Sequence, residues 1–339
     1  MHARRLLIGV VPLLLVATAC GGNDASTTTS ESGKKLDRVT LTLNWYPYGE
    51  HAPFYYGKQQ KIFEKHGIDL NIQAGQGSQK TVQATAAGQT DFGWADTPAL
   101  LAGVDQGVRV KSLGVFLQTT PASVQSFDAE GIGSPADLKG KTIAGTAGDA
   151  LSKTFPIFLK KNGLDGSDVE VQNTDPAGKI AAVISGRTDG LLGYASDQGP
   201  TMQDKAKKQV AYLRFSENGL NFYSNGLLAG QKILSSRSEL AGRMVKAVSE
   251  SWAAAEKAPG PAVEAMDGAS EQLPPKTVLS EQFRTTLTLL HTPSTEGKAP
   301  GVNNAADWQQ TIDVFAEAGM VSSPKAVGEY WDENTALKG

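Results

Sequence analysis

The 339-residue chain has one cysteine, Cys20, so no disulfide can close within it and no cysteine-based metal cluster can form. Histidine is nearly as scarce, and His51, His66 and His291 stand at no spacing that would gather a metal. A membrane-spanning helix needs about 20 apolar residues. The apolar run at residues 6–16 stops well short of that and is followed by Gly21, Gly22, Asn23 and Asp24. There is no Gly-x-Ser-x-Gly nucleophile elbow, no Walker-type phosphate loop and no HExxH motif, which removes the commonest signatures of hydrolases, nucleotide-driven enzymes and zinc proteases. Positive charge is not in excess: 32 Lys and Arg face 35 Asp and Glu, a balance unsuited to nucleic acid.

The first twenty residues carry a signal instead. Arg4 and Arg5 form a charged start, residues 6–16 an apolar stretch, and Ala17, Thr18 and Ala19 a cleavage site. Cys20 stands where a bacterial lipoprotein signal places the residue that is diacylated. The match resembles a lipobox, with Ala17 where leucine is commoner; the alternative is an ordinary secretory signal with an incidental cysteine. Two or more acyl chains anchor a protein stably, so a modified Cys20 would hold the chain at the extracytoplasmic face of the cell membrane. Loss of residues 1–19 leaves 30 basic against 35 acidic residues, a net charge of −5. Residues 20–38, rich in Ser, Thr, Gly and charge, read as a flexible tether.

Beyond the tether the chain repeats itself. Residues 39–45 (VTLTLNW) alternate as a strand does, a helix with Pro53 in its first turn runs to His66 and Gly67, and a second strand follows at 68–73. The glycine-containing loop 75–78 leads into a helix at 79–87, then Gly88-Gln89-Thr90-Asp91 and a strand at 92–96. The second copy runs through a strand at 141–144, the loop 145–149, a helix ending at Asn162 and Gly163, a strand at 169–172, a helix at 179–185, and Gly186-Arg187-Thr188-Asp189 before Gly193-Tyr194-Ala195-Ser196-Asp197. Gly88-x-Thr-Asp and Gly186-x-Thr-Asp lie 98 residues apart.

Alternating strands and helices predict an α/β protein with mostly parallel sheets. Ligand crevices in such sheets form at the carboxyl ends of the strands, so two facing copies make a two-lobed protein with one cleft. Lobe 1 is expected at 39–120 and 221–339, lobe 2 at 121–220. Crossings near 118–125 and 215–223 would form the hinge. Leu240, Met244, Val248 and Trp252 recur every four residues and should bury a stripe against lobe 1. Trp308, Ile312, Phe315 and Gly319 describe a further helix and its end.

Residues 43–56 (LNWYPYGEHAPFYY), with Gly88-x-Thr90-Asp91-Phe92-Gly93, Asp137-Leu138-Lys139-Gly140-Lys141 and Gly193-Tyr194, resemble periplasmic binding proteins of the thiamine-pyrimidine-precursor and sulfonate/taurine group, over roughly residues 39–230. The resemblance implies the type II periplasmic binding fold, an ABC permease and ATPase as partners, a small-molecule solute, a monomer, no cofactor and no catalysis. Carried over position by position, it implies that Trp45, His51, Trp94, Asp96 and Tyr194 hold a flat ring and its amino groups. After Gly193-Tyr194 this chain has Ala195-Ser196-Asp197-Gln198 where many relatives have Asn or Glu.

From the residues themselves, aromatic faces plus a few polar groups suit a planar heterocycle. Trp45, Tyr46 and Tyr48 offer these in one loop, Trp94 and Asp96 in another, Tyr194 and Asp197 in its duplicate. Each has a structural alternative: core packing for Trp45 and Trp94, a turn for Tyr46 and Tyr48, a helix start for His51, helix N-caps for Asp96 and Asp197. A cleft carboxylate favours amino donors over nitrate or sulfonate. Glycine turns at 75–78 and 145–149 keep an anion open as the alternative solute, while Lys80, Lys153 and Lys179 nearby read as solvated. Two other classes remain: a membrane-tethered scaffold, and a pyrimidine-synthesising enzyme, whose cysteine-rich motif has no counterpart here.

Overall fold

The structure, a computed structural model, describes residues 27–29, 33 and 35–338; the signal segment and Cys20 lie outside the described residues. Eleven strands follow one another among these: β1 (Thr27–Thr29), β2 (Lys35–Thr42), β3 (Ile68–Gln73), β4 (Phe92–Asp96), β5 (Val110–Val115), β6 (Ala122–Phe127), β7 (Thr142–Gly145), β8 (Glu170–Asn173), β9 (Gly190–Tyr194), β10 (Val210–Arg214) and β11 (Asn225–Gly230). They form two sheets. The first has the order β1-β2-β4-β11-β5 with β3 also paired to β2; the second is β10-β6-β9-β7-β8.

The expected α/β class holds, but the sheets are mixed and not mostly parallel. Among the named strands, parallel pairing is found in β2 with β3 and β4 and in β7 with β8 and β9; a single parallel bridge joins Ser112 to Trp331. The strands at the inter-sheet passages run the other way, β11 against β4 and β5, and β6 against β9 and β10. The passages lie at residues 116–121, between β5 and β6, and 215–224, between β10 and β11.

The repeated motifs have a structural cause. Gly88 and Gly186 both take φ +70, a conformation that costs glycine nothing, and end helices Ser78–Ala86 and Lys179–Ile184. The aspartate three residues on then accepts the amide at the neighbouring strand: Thr40 N–H donates to Asp91 Oδ2 at 2.8 Å, and Thr142 N–H to Asp189 Oδ2 at 2.7 Å. Each copy thus ties the start of its third strand, β4 or β9, to its first, β2 or β7.

Two expectations change. The helix through Pro53 is broken: Ala52–Gln59 and Ile62–Lys65 are separated at Lys61, which has φ 56. Strand β2 begins at Lys35, and Thr27–Thr29 pairs antiparallel with Lys35–Asp37, so part of the segment read as tether is sheet. Leu36, at 4% exposure, supplies the apolar contact that a composition average hides. The helix Ser238–Lys257 buries Leu240, Met244, Val248 and Trp252 as its spacing predicts, in the cluster that holds Val39, Leu41 and Phe92 of the first sheet. Helix Ala305–Glu317 buries Trp308, Ile312 and Phe315 in a different cluster, which also contains Phe155 and Phe158 of helix Ala150–Lys161. That cluster runs from the first sheet to the second.

Candidate functional site

A cavity of about 760 Å³ is walled by loops that follow the carboxyl ends of the parallel strands. Trp45 comes after β2, Gly77 and Ser78 after β3, and Asp96 at the end of β4; Gly148 and Asp149 come after β7, Lys179 after β8, and Tyr194 at the end of β9. Both sheets contribute, as the crevice rule requires.

Asp96 is 7% exposed and starts the helix Thr97–Asp105, yet its carboxylate does not cap that helix. The Thr97 amide goes to the Ser224 carbonyl at 3.1 Å. The Asp96 carboxylate instead accepts the Tyr194 hydroxyl on Oδ2 and the Ser224 hydroxyl on Oδ1 at 3.3 Å. Tyr194 belongs to the second sheet, so this bond crosses the cleft. Burial raises Asp96 to about 6, against the lowering effect of its two hydroxyl donors.

A second crossing involves Asp197. It too starts a helix, Gln198–Ala206, without capping it. Its Oδ2 accepts Gln198 Nε2 at 2.6 Å, and its backbone carbonyl accepts Gln282 Nε2 at 3.2 Å. Gln282 lies on helix Lys276–Leu287, and its Oε1 accepts the Gly49 amide at 3.0 Å. Burial pushes Asp197 up to about 6, and Lys179 pulls the other way.

Several expected ring-holding residues lie elsewhere. Trp94 is fully buried, stacked on Trp252 at 5.5 Å and edge-on to Phe54 at 4.9 Å; its indole faces the core. The β4 alternation that brings Asp96 to the cavity also points Trp94 and Asp96 to one face, and at Trp94 that face is roofed by helices Ala52–Gln59 and Ser238–Lys257. Tyr48 is buried and donates to Glu50 Oε2 at 2.6 Å. His51 is fully buried: its Nδ1 accepts the Tyr48 amide at 3.3 Å, which leaves the proton on Nε2, 2.7 Å from Asn44 Oδ1. Burial lowers His51 to about 3, so the ring is neutral. Tyr46, 40% exposed, packs edge-on against Trp45 outside the cavity wall. Of the first loop, Trp45 alone lines the cavity, at 42% exposure.

Two charged residues gain weight from the geometry. Glu50 is buried beneath the site and accepts Trp94 Nε1 at 2.7 Å, Asn225 Nδ2 at 2.6 Å and the Tyr48 hydroxyl. Burial still raises it to about 7. Asn225 pairs with Asp96 across β4 and β11, so this network fixes the strand that carries the site. Lys179, expected to be solvated, is 4% exposed and lines the cavity, its Nζ donating to the Leu192 carbonyl at 2.8 Å. The repeat held a clue: Lys179 stands 98 residues after Thr81, an inward-facing position of the first copy with 1% exposure.

No cluster of three or more His, Cys, Asp or Glu able to hold a metal occurs among the described residues, and no helix among them is long and apolar enough to cross a membrane.

Two sheets joined by two passages, with a cavity between strand ends, define a type II periplasmic binding protein fold. The periplasmic aliphatic sulphonate binding protein SsuA of Escherichia coli superposes with a TM-score of 0.68 at 15% identity, over 88% of this chain and 98% of that one. Residues 49–262 match the NMT1/THI5-like family, and the chain belongs to it. A putative binding protein of Brucella abortus is 28% identical over 204 residues, 57% of this chain and 59% of that protein. The chain thus spans about six-tenths of the length of the curated relatives it first matches. A 4-amino-5-hydroxymethyl-2-methylpyrimidine phosphate synthase of Legionella pneumophila is 28% identical over 128 residues, 38% of this chain and 40% of the relative.

Proposed function

We propose that this protein is the solute-binding component of an ABC-type importer, held at the extracytoplasmic face by a lipid on Cys20, and that it delivers a small, planar, amino-bearing heterocycle of the aminopyrimidine class to a permease and its ATPase. Residues 39–120 with 221–339 and residues 121–220 act as the two lobes, closing about the passages at 116–121 and 215–224. The observation that carries this reading is Asp96: a desolvated carboxylate on the cavity wall, accepting a hydroxyl from the opposite lobe. A solute amino group beside it gains a charge-assisted hydrogen bond in a dry site, and Trp45 and Tyr194 supply aromatic surface from the two lobes. Tyr46, Tyr48, His51, Trp94 and Asp197 then support the site and do not touch the solute. The protein catalyses nothing in this reading. The likeness to a pyrimidine phosphate synthase bears on the ring the cavity suits.

A sulfonate or nitrate is the second reading, favoured by Lys179 on the same wall and by the likeness to a sulphonate-binding protein. A thermal-shift screen separates the two, using aminopyrimidines, riboflavin, taurine, alkanesulfonates and nitrate. A ligand at 100 times its Kd adds about 2.7 kcal/mol of stability, a shift of a few degrees for a chain of this size. Stabilisation by aminopyrimidines supports the first reading; stabilisation by simple sulfonates or nitrate alone overturns it.

A further inference from the structure

We propose that Lys179 is the group through which the second lobe reads the solute, and that the solute carries an oxyanion, whether carboxylate, phosphate or sulfonate, at the end remote from the amino group held by Asp96. This inference rests on the reading that the cavity between the lobes is the solute site, and it deepens that reading by making the solute bifunctional.

The support is a hydrogen-bond inventory of the charged groups on the cavity wall, Asp96, Asp149, Lys153 and Lys179, and of Asp197 behind it; Lys153 is exposed and reaches water, so the buried groups decide the matter. Asp96 already accepts two hydroxyls. Asp149, the N-cap of helix Ala150–Lys161, accepts the Ser152 amide at 2.7 Å. Asp197 accepts Gln198. Each carboxylate therefore has donors from the protein. Lys179 differs: an ammonium has three protons to donate, and the one acceptor at Lys179 Nζ is the Leu192 carbonyl. No carboxylate lies within 4.0 Å of it among the described ion pairs.

A buried ammonium with donors unmatched is costly unless something in the cavity accepts them. Burial lowers Lys179, and the more distant Asp149 and Asp197 counter that only in part. The same wall carries Ala150 and Leu151, first-turn residues of the twelve-residue helix Ala150–Lys161, whose amides have no intrahelical acceptor. An oxyanion placed there meets the ammonium and those amides together, while its positive or amino end faces Asp96. A neutral ring without an acceptor at that end leaves Lys179 unmatched on closure.

The test uses matched probes on the purified full-length protein. 4-Amino-5-hydroxymethyl-2-methylpyrimidine and its phosphate ester differ only at the proposed anionic end. By calorimetry, the ester should bind wild type at least tenfold more tightly than the alcohol. Lys179→Met should cut that advantage below twofold, Lys179→Arg should keep most of it, and Asp96→Asn should weaken both probes alike. Equal affinity of wild type for the two probes overturns the proposal, and that comparison needs no variant to fold; so does an advantage that survives in Lys179→Met. Inorganic phosphate and methanesulfonate, tested by thermal shift, separate the two levels of inference. If neither pyrimidine binds but the anions raise the Tm of wild type and not of Lys179→Met, the aminopyrimidine reading falls and the role of Lys179 stands. If both pyrimidines bind equally, the reverse holds. Taurine and a ring carboxylate, compared in the same way, identify which oxyanion gains most from Lys179.

Discussion

Replacing Tyr194 with Phe deletes one oxygen, the donor that crosses the cleft to Asp96 Oδ2. At pH 8 Asp96, raised to about 6 by burial, is ionised in the closed protein. A hydrogen bond to a charged group contributes about 1.5–3 kcal/mol, and 1.4 kcal/mol is tenfold in Kd. The variant should therefore bind an aminopyrimidine probe about 10- to 150-fold more weakly at pH 8, since the bond exists only with the lobes together. At pH 5 the carboxyl is mostly protonated, and a neutral hydrogen bond contributes about 1 kcal/mol, about fivefold. The sign follows from Asp96 itself. A carboxyl raised by closure holds its proton more tightly in the closed form, so closure is favoured as pH falls through about 6 and the advantage is complete below the ordinary value near 3.8. Tyr194 lowers Asp96 and offsets part of that penalty at high pH. Glu50 and Asp149 also face this pair, but both are present in wild type and variant alike and cancel in the ratio, as does the probe. Calorimetry of wild type and variant at pH 5 and pH 8 is the measurement. A ratio near one at pH 8, or one that does not grow with pH, refutes the latch.

The two tryptophans of the motif loops should separate. Trp94→Ala removes a fully buried indole and one of three donors to Glu50, so urea unfolding should register a loss of about 3–5 kcal/mol. Trp45→Ala, at a 42% exposed position, should leave stability within about 0.5 kcal/mol and weaken the probe by about 1 kcal/mol; the opposite pattern would return Trp94 to the cavity. Gly75→Ala places a methyl 1.8 Å from the Leu43 carbonyl oxygen, a backbone atom that cannot yield without moving the Trp45 loop. It should cost about 1–3 kcal/mol in unfolding and weaken the probe as well, whereas an unchanged Tm would mean the loop is free to shift.

Much of the architecture was legible in residue order. The strand at 92–96 and the helix stripe from Leu240 to Trp252 appear where periodicity placed them, because a pattern of burial repeats with the geometry of the element that creates it. The duplicated Gly-x-Thr-Asp was legible as a repeat, and its cause, a carboxylate pinning the adjacent strand, is local to each copy. The break at Lys61 was not legible, since nothing in the residues 60–62 forbids a continuous helix and the turn is imposed by packing of Phe63 and Ile62 into the core.

The site divides along the same line. Sequence determined which residues end the strands, and so brought Asp96 and Tyr194 to one cleft as matched members of two copies. It could not decide which face each loop residue turns to the cavity. Trp45 just after β2 and Trp94 within β4 are the same residue type on paired strands, yet one borders the cleft and the other stacks on Trp252, a partner 158 positions away in sequence. Lys179 looked like any surface lysine until the fold of its own lobe buried it on the cavity wall against the Leu192 carbonyl. Burial, and with it the protonation of Glu50, His51, Asp96 and Asp197, depends on what distant segments exclude from water. Local sequence carries no record of that.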